Sequence, residues 1–204
     1  MRDCDIRNKL DVFLRQQHAD GSDTLIRHEM GLCAGQRRVD IALLNGEISG
    51  YEIKSDVDSL IRLLGQADVY GRVLDRVTLV TTSRHLEKSM TLLPTWWGVM
   101  IAKQERGCVT LETVREPETN PELDPFALAQ FLWREEALEE LKKRGLSKGI
   151  SKKARFYLWQ ALVQAIPIED LRDLVRERIK ARPSWIDAPR HGQNGARPPI
   201  VATQ

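Results

Sequence analysis

Three side chains able to do chemistry together fall within fifteen residues of one another. Asp40 lies in the run RVDIALL, and Glu52 and Lys54 lie in GYEIKSD. Two carboxylates held on adjacent strands supply the hard oxygen ligands that Mg²⁺ takes, and the backbone carbonyl of Ile53 offers a third oxygen between them. Lys54 is two residues from Glu52 and so shares its face of a strand. An ammonium at that place would hold an attacking water or offset charge building on a phosphate. Glu52 and Lys54 alone would be an everyday ion pair; with Asp40 they would support metal-assisted hydrolysis of a phosphodiester.

Those residues need elements to position them. Ile6, Leu10, Phe13 and Leu14 recur at helical spacing and predict an amphipathic helix from Asp3 to about His18. Strand-like runs follow at 24–29, 38–44 and 47–53, the last two joined by Asn45-Gly46, a strong hairpin signal. Register then decides whether a site exists. A two-residue loop pairs Leu44 with Glu47, sets Asp40 opposite Tyr51 and leaves Glu52 on the other face. A one-residue bulge at Gly46 or Gly50 brings Asp40 across from Glu52, and such a bulge is expected. Ser55, Asp56 and Asp58 read as caps of a helix carrying Leu60, Leu63, Leu64 and Ala67. A strand at 76–81, a helix at 84–93 and strands at 97–102 and 109–114 complete a sheet-centred α/β domain over residues 1–116. Prolines mark a linker at 117–124. Three helices are expected within 125–182: Phe126–Arg144, one capped by Ser151 and running to Ile166, and Ile168 to about Ala181. Residues 183–204, rich in Pro, Gly, Arg and Ala, read as a disordered tail.

The pattern Arg38-Val39-Asp40, a hairpin, then Glu52-Ile53-Lys54 after a helix and a first strand resembles the PD-(D/E)XK nuclease superfamily. The match covers roughly residues 3 to 82. It implies a restriction-endonuclease-like αβββαβ core with a mixed central sheet, a nuclease activity, and Mg²⁺ or Mn²⁺ held by Asp40, Glu52 and the Ile53 carbonyl, with Lys54 catalytic. Gln66 and Tyr70, four apart on one helical face, are similar to the Q-x-x-x-Y element of the RecB-like branch. The resemblance implies that they flank the metal and contact substrate or Lys54. Glu29 matches the position where some of these families carry another acid. Small bacterial families of this superfamily, mostly uncharacterised, share the look of this stretch. One departure stands out: Val39 occupies the position of the usual proline.

Composition narrows the setting. The chain has 204 residues, 42% hydrophobic and 29% charged, with a formal charge of only +2. That is enough to bury a core and gives no global polycation. No apolar run approaches the length of a membrane span, and the start MRDCDIRNKL lacks the apolar segment of a signal peptide, so a cytoplasmic protein without membrane association is expected. Cys4, Cys33 and Cys108 are odd in number and widely spaced, the pattern of reduced core thiols. Positive charge gathers late: Lys148, Lys152, Lys153 and Arg155 stand beside Phe156, Tyr157 and Trp159. Such a cluster attracts phosphate backbones and can stack bases. Phe156, Trp159 and Leu162 also fit a core stripe. The expectation is therefore a metal-dependent nuclease acting on DNA, or on RNA, with the C-terminal helices gripping nucleic acid, a protein partner or a second copy. Two alternatives stay open: a nuclease fold without turnover serving as a binding or scaffold module, and an effector nuclease with a neutralising partner.

Overall fold

A computed structural model describes residues 1–19, 21, 23–105 and 107–182. The expected tail and Arg106 of the last hairpin lie outside the described residues. The elements run α1 (Asp3–Gln17), β1 (Leu25–Leu32), β2 (Arg37–Leu44), β3 (Ile48–Lys54), α2 (Leu63–Gly71), β4 (Arg76–Thr81), α3 (Ser83–Leu92), β5 (Gly98–Glu105), β6 (Cys108–Arg115), α4 (Pro125–Ala129), α5 (Arg134–Lys143), α6 (Arg155–Ala165) and α7 (Ile168–Ala181). The strands form one six-stranded sheet in chain order, antiparallel except for the parallel pairs β3·β4 and β4·β5. The chain is thus α/β around a mixed sheet. Among the described residues no helix is long and apolar enough to cross a membrane.

Each face of the sheet is covered. On one, Ile6, Leu10 and Leu14 of α1 pack with Ile41, Ile53, Val80 and Met100. On the other, a larger cluster joins Leu44, Ile48, Leu79 and Val99 to Tyr70 and Trp97 and runs without interruption into Leu128, Leu158, Leu162 and Val175 of the C-terminal helices. The residues at 117–124 mark a change of secondary structure, and the apolar core continues across it. Of the three cysteines only Cys33 is buried; Cys4 and Cys108 are exposed, so the expectation of core thiols fails for those two.

Three expectations need correcting. The helix foreseen over 126–144 is broken into α4 and α5, which makes four helices after the sheet among the described residues. At the break the N–H groups of Gln130, Phe131 and Leu132 reach back three residues rather than four, and Trp133 N–H is accepted by Glu136 Oε2 at 2.7 Å. The carbonyls freed there are used by Trp159 Nε1, which donates to Leu132 O at 3.0 Å, and by Arg182 Nη2, which donates to Phe131 O at 2.7 Å. The next helix starts at Arg155 with Ala154 as its cap, and Ser151 lies in the preceding turn.

The third correction is the hairpin. Ile41, Ala42, Leu43 and Leu44 pair with Tyr51, Gly50, Ser49 and Ile48 without a bulge. The shift that brings Asp40 level with Glu52 comes instead from a three-residue loop, Asn45-Gly46-Glu47. Asn45 Oδ1 closes it by accepting from Glu47 N–H at 3.1 Å, and Ile48 N–H is drawn to Asp75 Oδ2 at 2.7 Å. Neither Gly46 nor Gly50 adopts positive φ. Gly50 is required for a different reason, because a Cβ there would lie 2.5 Å from Leu74 Cδ1 and 3.2 Å from Val39 Cγ2.

Candidate functional site

Continuing the pairing one step past Ile41 and Tyr51 sets Asp40 opposite Glu52, and the β1·β2 register, which pairs His28 with Ile41 and Met30 with Val39, sets Glu29 opposite Asp40. Three acids therefore stand in a row across three adjacent strands. Strict alternation is broken at that row. Ile26 and Ile41 pack toward α1, whereas Met30 and Val39 pack toward the opposite helices. Glu29 sits at φ 53°, the left-handed conformation that lets the strand change face. The same irregularity turns Asp40 sideways: its Oδ2 accepts from Ile53 N–H at 2.7 Å, taking the place of the next ladder bond.

Glu52 is the centre of the cluster and is only 2% exposed. Its Oε1 accepts from Lys54 Nζ and from Gln66 Nε2, each at 2.5 Å. The Tyr70 hydroxyl lies 2.6 Å from Glu52 Oε2 and 2.6 Å from Arg38 O. One hydroxyl proton serves one acceptor at a time, so the Tyr70 hydroxyl is shared between the Glu52 carboxyl and the Arg38 carbonyl. Burial, and after it the charge of Asp40, pushes the Glu52 carboxyl above its ordinary range against the pull of Lys54 and Tyr70. Burial and then Glu52 push the Tyr70 hydroxyl up. Tyr70 is fixed from behind by Trp97, whose ring stacks on it at 5.9 Å. Gln66 Oε1 is buried and has no hydrogen-bond partner among the described residues.

Asp40 has a partner that the sequence did not announce. Arg7 on α1 donates to Asp40 Oδ1 at 2.7 Å and to Asp40 O at 3.0 Å, while pairing with Asp3 at 3.1 Å and Glu29 at 3.2 Å. Burial works against its charge, and the hydrogen bonds to Asp3 and Asp40 outweigh burial and hold the guanidinium above its ordinary value. The one available signal was Asp3 and Arg7 at a spacing of four on the polar side of α1, which reads equally as a surface pair.

These groups open onto one cavity of about 420 Å³, lined by Glu29, Asp40, Glu52, Ile53, Lys54 and Gln66 and also by Asp3, Asp58, Gln36 and the arginines 37, 38 and 62. Tyr70 stands behind Glu52. Asp58 closes the turn after β3 by accepting from Ser55 N–H at 2.8 Å, and Ser59 Oγ accepts from Ile61 N–H at 3.2 Å. Asp56 takes another role, accepting from the N-terminal ammonium at 2.7 Å. Asp40, Glu52 and the Ile53 carbonyl are oxygen donors suited to a hard divalent cation, which characteristically uses one or two carboxylates and fills its shell with water and substrate. Among the described residues no three His, Cys, Asp or Glu side chains are grouped so that they could hold a metal ion together. The basic cluster is elsewhere: Lys148, Lys152 and Lys153 are exposed in the turn before α6 and Arg155 opens that helix. Lys153 Nζ lies over the Tyr157 ring and Arg155 over Trp159, each at 5.1 Å. Trp159 and Leu162 are buried as the core stripe required, while Phe156 is 41% exposed.

Over 161 residues the chain is 27% identical to protein cII of Enterobacteria phage P4, a match covering 79% of this chain and 60% of that one, so the chain spans about three-fifths of the relative's length. Among solved structures it is similar to a protein of unknown function from Silicibacter pomeroyi, with 22% identity and a TM-score of 0.38 over 68% of this chain and 90% of that one. The profile of the bacteriophage P4 protein cII family matches residues 2–187, and the chain belongs to that family.

Proposed function

We propose that the chain is a metal-dependent nuclease that hydrolyses phosphodiester bonds in DNA, built on a restriction-endonuclease-like αβββαβ core. One observation carries the reading: Glu52, buried against Lys54, Gln66 and Tyr70, opens onto the same cavity as Asp40 across from it. The order α1-β1-β2-β3-α2-β4, with β3 and β4 parallel, supports the core. The relative's name, protein cII, names no chemistry.

In this reading Asp40, Glu52 and the Ile53 carbonyl hold Mg²⁺ or Mn²⁺, with Glu29 a further acid at the edge. The bound cation would withdraw charge from a phosphate oxygen and acidify a water. Lys54 holds the attacking water or balances charge on the phosphate, and the unpartnered Gln66 Oε1 offers that water an acceptor. Tyr70 fixes the orientation of Glu52. Lys148, Lys152, Lys153 and Arg155 would hold backbone phosphates away from the cavity, and the C-terminal helices are the surface for a protein partner or a second copy.

A second reading, a nuclease fold that binds DNA without turnover, is favoured by Arg7, which already satisfies Asp40 Oδ1 and adds a fixed positive charge where a cation would sit. Cleavage of several DNA and RNA forms with Mg²⁺, Mn²⁺ or EDTA, by the natural chain and by Asp40→Ala and Lys54→Ala, separates the two. Metal-dependent cleavage lost in both variants is the expected result. Activity that survives both, or that needs no metal, refutes the nuclease site; Mn²⁺ binding abolished by Asp40→Ala without cleavage of any substrate favours the silent module.

A further inference from the structure

The segment that leads from β3 into α2 is unusual for a protein surface. Val57 is 80% exposed, Ile61 89% and Leu64 56%. Three large aliphatic side chains are held in solvent within eight residues of chain, and exposed apolar side chains gathered in one region mark interaction sites more often than singly scattered ones do. The same segment sends Asp58 and Arg62 to the cavity wall. Arg37 and Arg38 line the same cavity, delivered by a turn in which Cys33, Ala34 and Gly35 all adopt positive φ (48°, 55° and 90°). The Arg37 guanidinium lies against the start of α2, 3.2 Å from where a Cβ on Gly65 would be. Arg37 and Arg62, both exposed, make no ion pair among the described residues, and Arg38 has only a 3.8 Å contact with Glu29.

We infer that this rim receives a nucleic-acid strand at the cavity mouth, with Arg37, Arg38 and Arg62 on phosphates and Val57, Ile61 and Leu64 against the bases of the adjoining nucleotides. The inference rests on the nuclease reading for what lies in the cavity and adds how the substrate is held there. The argument is complementarity. Unpaired guanidinium groups call for phosphates, which they bind bidentately. An apolar tip beside them calls for a surface both flat and apolar. A polyanion carrying stacked bases offers both at the required neighbourhood, and aliphatic side chains inserted between base steps unstack them. An acidic protein surface would satisfy the arginines and leave the three aliphatic tips in water.

The test uses the full chain with EDTA or Ca²⁺ and a fluorescein-labelled duplex and single strand, read by anisotropy over a salt series. Arg37→Gln/Arg62→Gln weakens binding and lowers the slope of log affinity against log salt by about 1.8 for the duplex, or about 1.4 for the single strand. Ile61→Ser, at an exposed position, weakens binding about threefold or more with the slope unchanged. A 2-aminopurine probe that brightens on binding to the natural chain stays dim with Ile61→Ser. Circular dichroism of each variant confirms that the fold is kept. Rim variants that bind like the natural chain with the same slope overturn the proposal even if cleavage occurs, and so does a chain that binds neither nucleic acid. Rim-dependent binding without cleavage in any metal leaves the proposal standing and removes the nuclease reading.

Discussion

Replacing Lys54 by Met tests the charge balance of the site through stability alone, and its size follows from the structure. Lys54 Nζ lies 2.5 Å from Glu52 Oε1 and both side chains are buried. Removing one member of a buried pair strands the other charge, which costs about 3–5 kcal/mol if that charge must remain. Glu52 has a way out, because burial and Asp40 already favour its neutral form. Each pH unit above its ordinary value of 4.5 at which the folded chain must keep it protonated costs about 1.4 kcal/mol. The ceiling is therefore about 3.4 kcal/mol at pH 7 and about 0.7 at pH 5. A carboxyl whose folded value is raised takes up protons on folding, so its contribution falls as pH rises from 4.5 until the folded value is passed. Lys54 and Tyr70 oppose that rise in the natural chain, and removing Lys54 releases it. Urea unfolding in EDTA at pH 5, 6 and 7 should show Lys54→Met losing about 2–3 kcal/mol at pH 7 and under about 1 kcal/mol at pH 5. Adding Glu52→Gln should remove most of the pH dependence. A loss that is the same at all three pH values would refute the account of Glu52 as the group that absorbs the missing charge.

Two other substitutions probe what supports the site. Gly50→Ala drives a Cβ into Leu74 and Val39, both fully buried, and should cost about 1–3 kcal/mol by denaturant unfolding; adding Leu74→Ala should cost less than the two single losses summed, and strict additivity would show that the clash is not the cause. Arg182→Met removes the guanidinium that stacks 4.3 Å from the Trp133 ring, pairs with Glu136 and satisfies Phe131 O. It should lower stability by about 2–4 kcal/mol, and proteolysis should open the α4–α5 break first; cleavage beginning in the sheet would contradict that role.

How much could be read beforehand varies with the range of the forces involved. The α/β order was legible because its signals are local: the short apolar run of β2, the Asn45-Gly46 turn after it and the stripe of α1 need no distant partner to be recognised. The break between α4 and α5 was not. Residues 130–133 carry no Gly or Pro, and the bend is held by Trp159, Glu136 and Arg182, which lie up to about fifty residues away along the chain.

The site divides in the same manner. Glu52, Lys54, Gln66 and Tyr70 share two consecutive elements, so their spacing already put them on one side of the sheet. Asp40 was level with Glu52 only if the hairpin slipped by one, and the residue that makes it slip is Glu47, which spends itself in the loop instead of the ladder. Of the two glycines suspected of the bulge, Gly46 and Gly50, the second is there to let Leu74 and Val39 close beneath the acids. Arg7 was invisible as a site residue because nothing in α1 says that its polar side will meet the ends of β1 and β2. Only the change of face at Glu29 and Asp40 opens that path, by turning the Asp40 carboxylate out of the helix-side array toward α1. The candidate site is accordingly a local acid–lysine motif whose second acid is set by tertiary structure. Any substitution that restores regular alternation at residue 29 should disturb Asp40 before it disturbs Glu52.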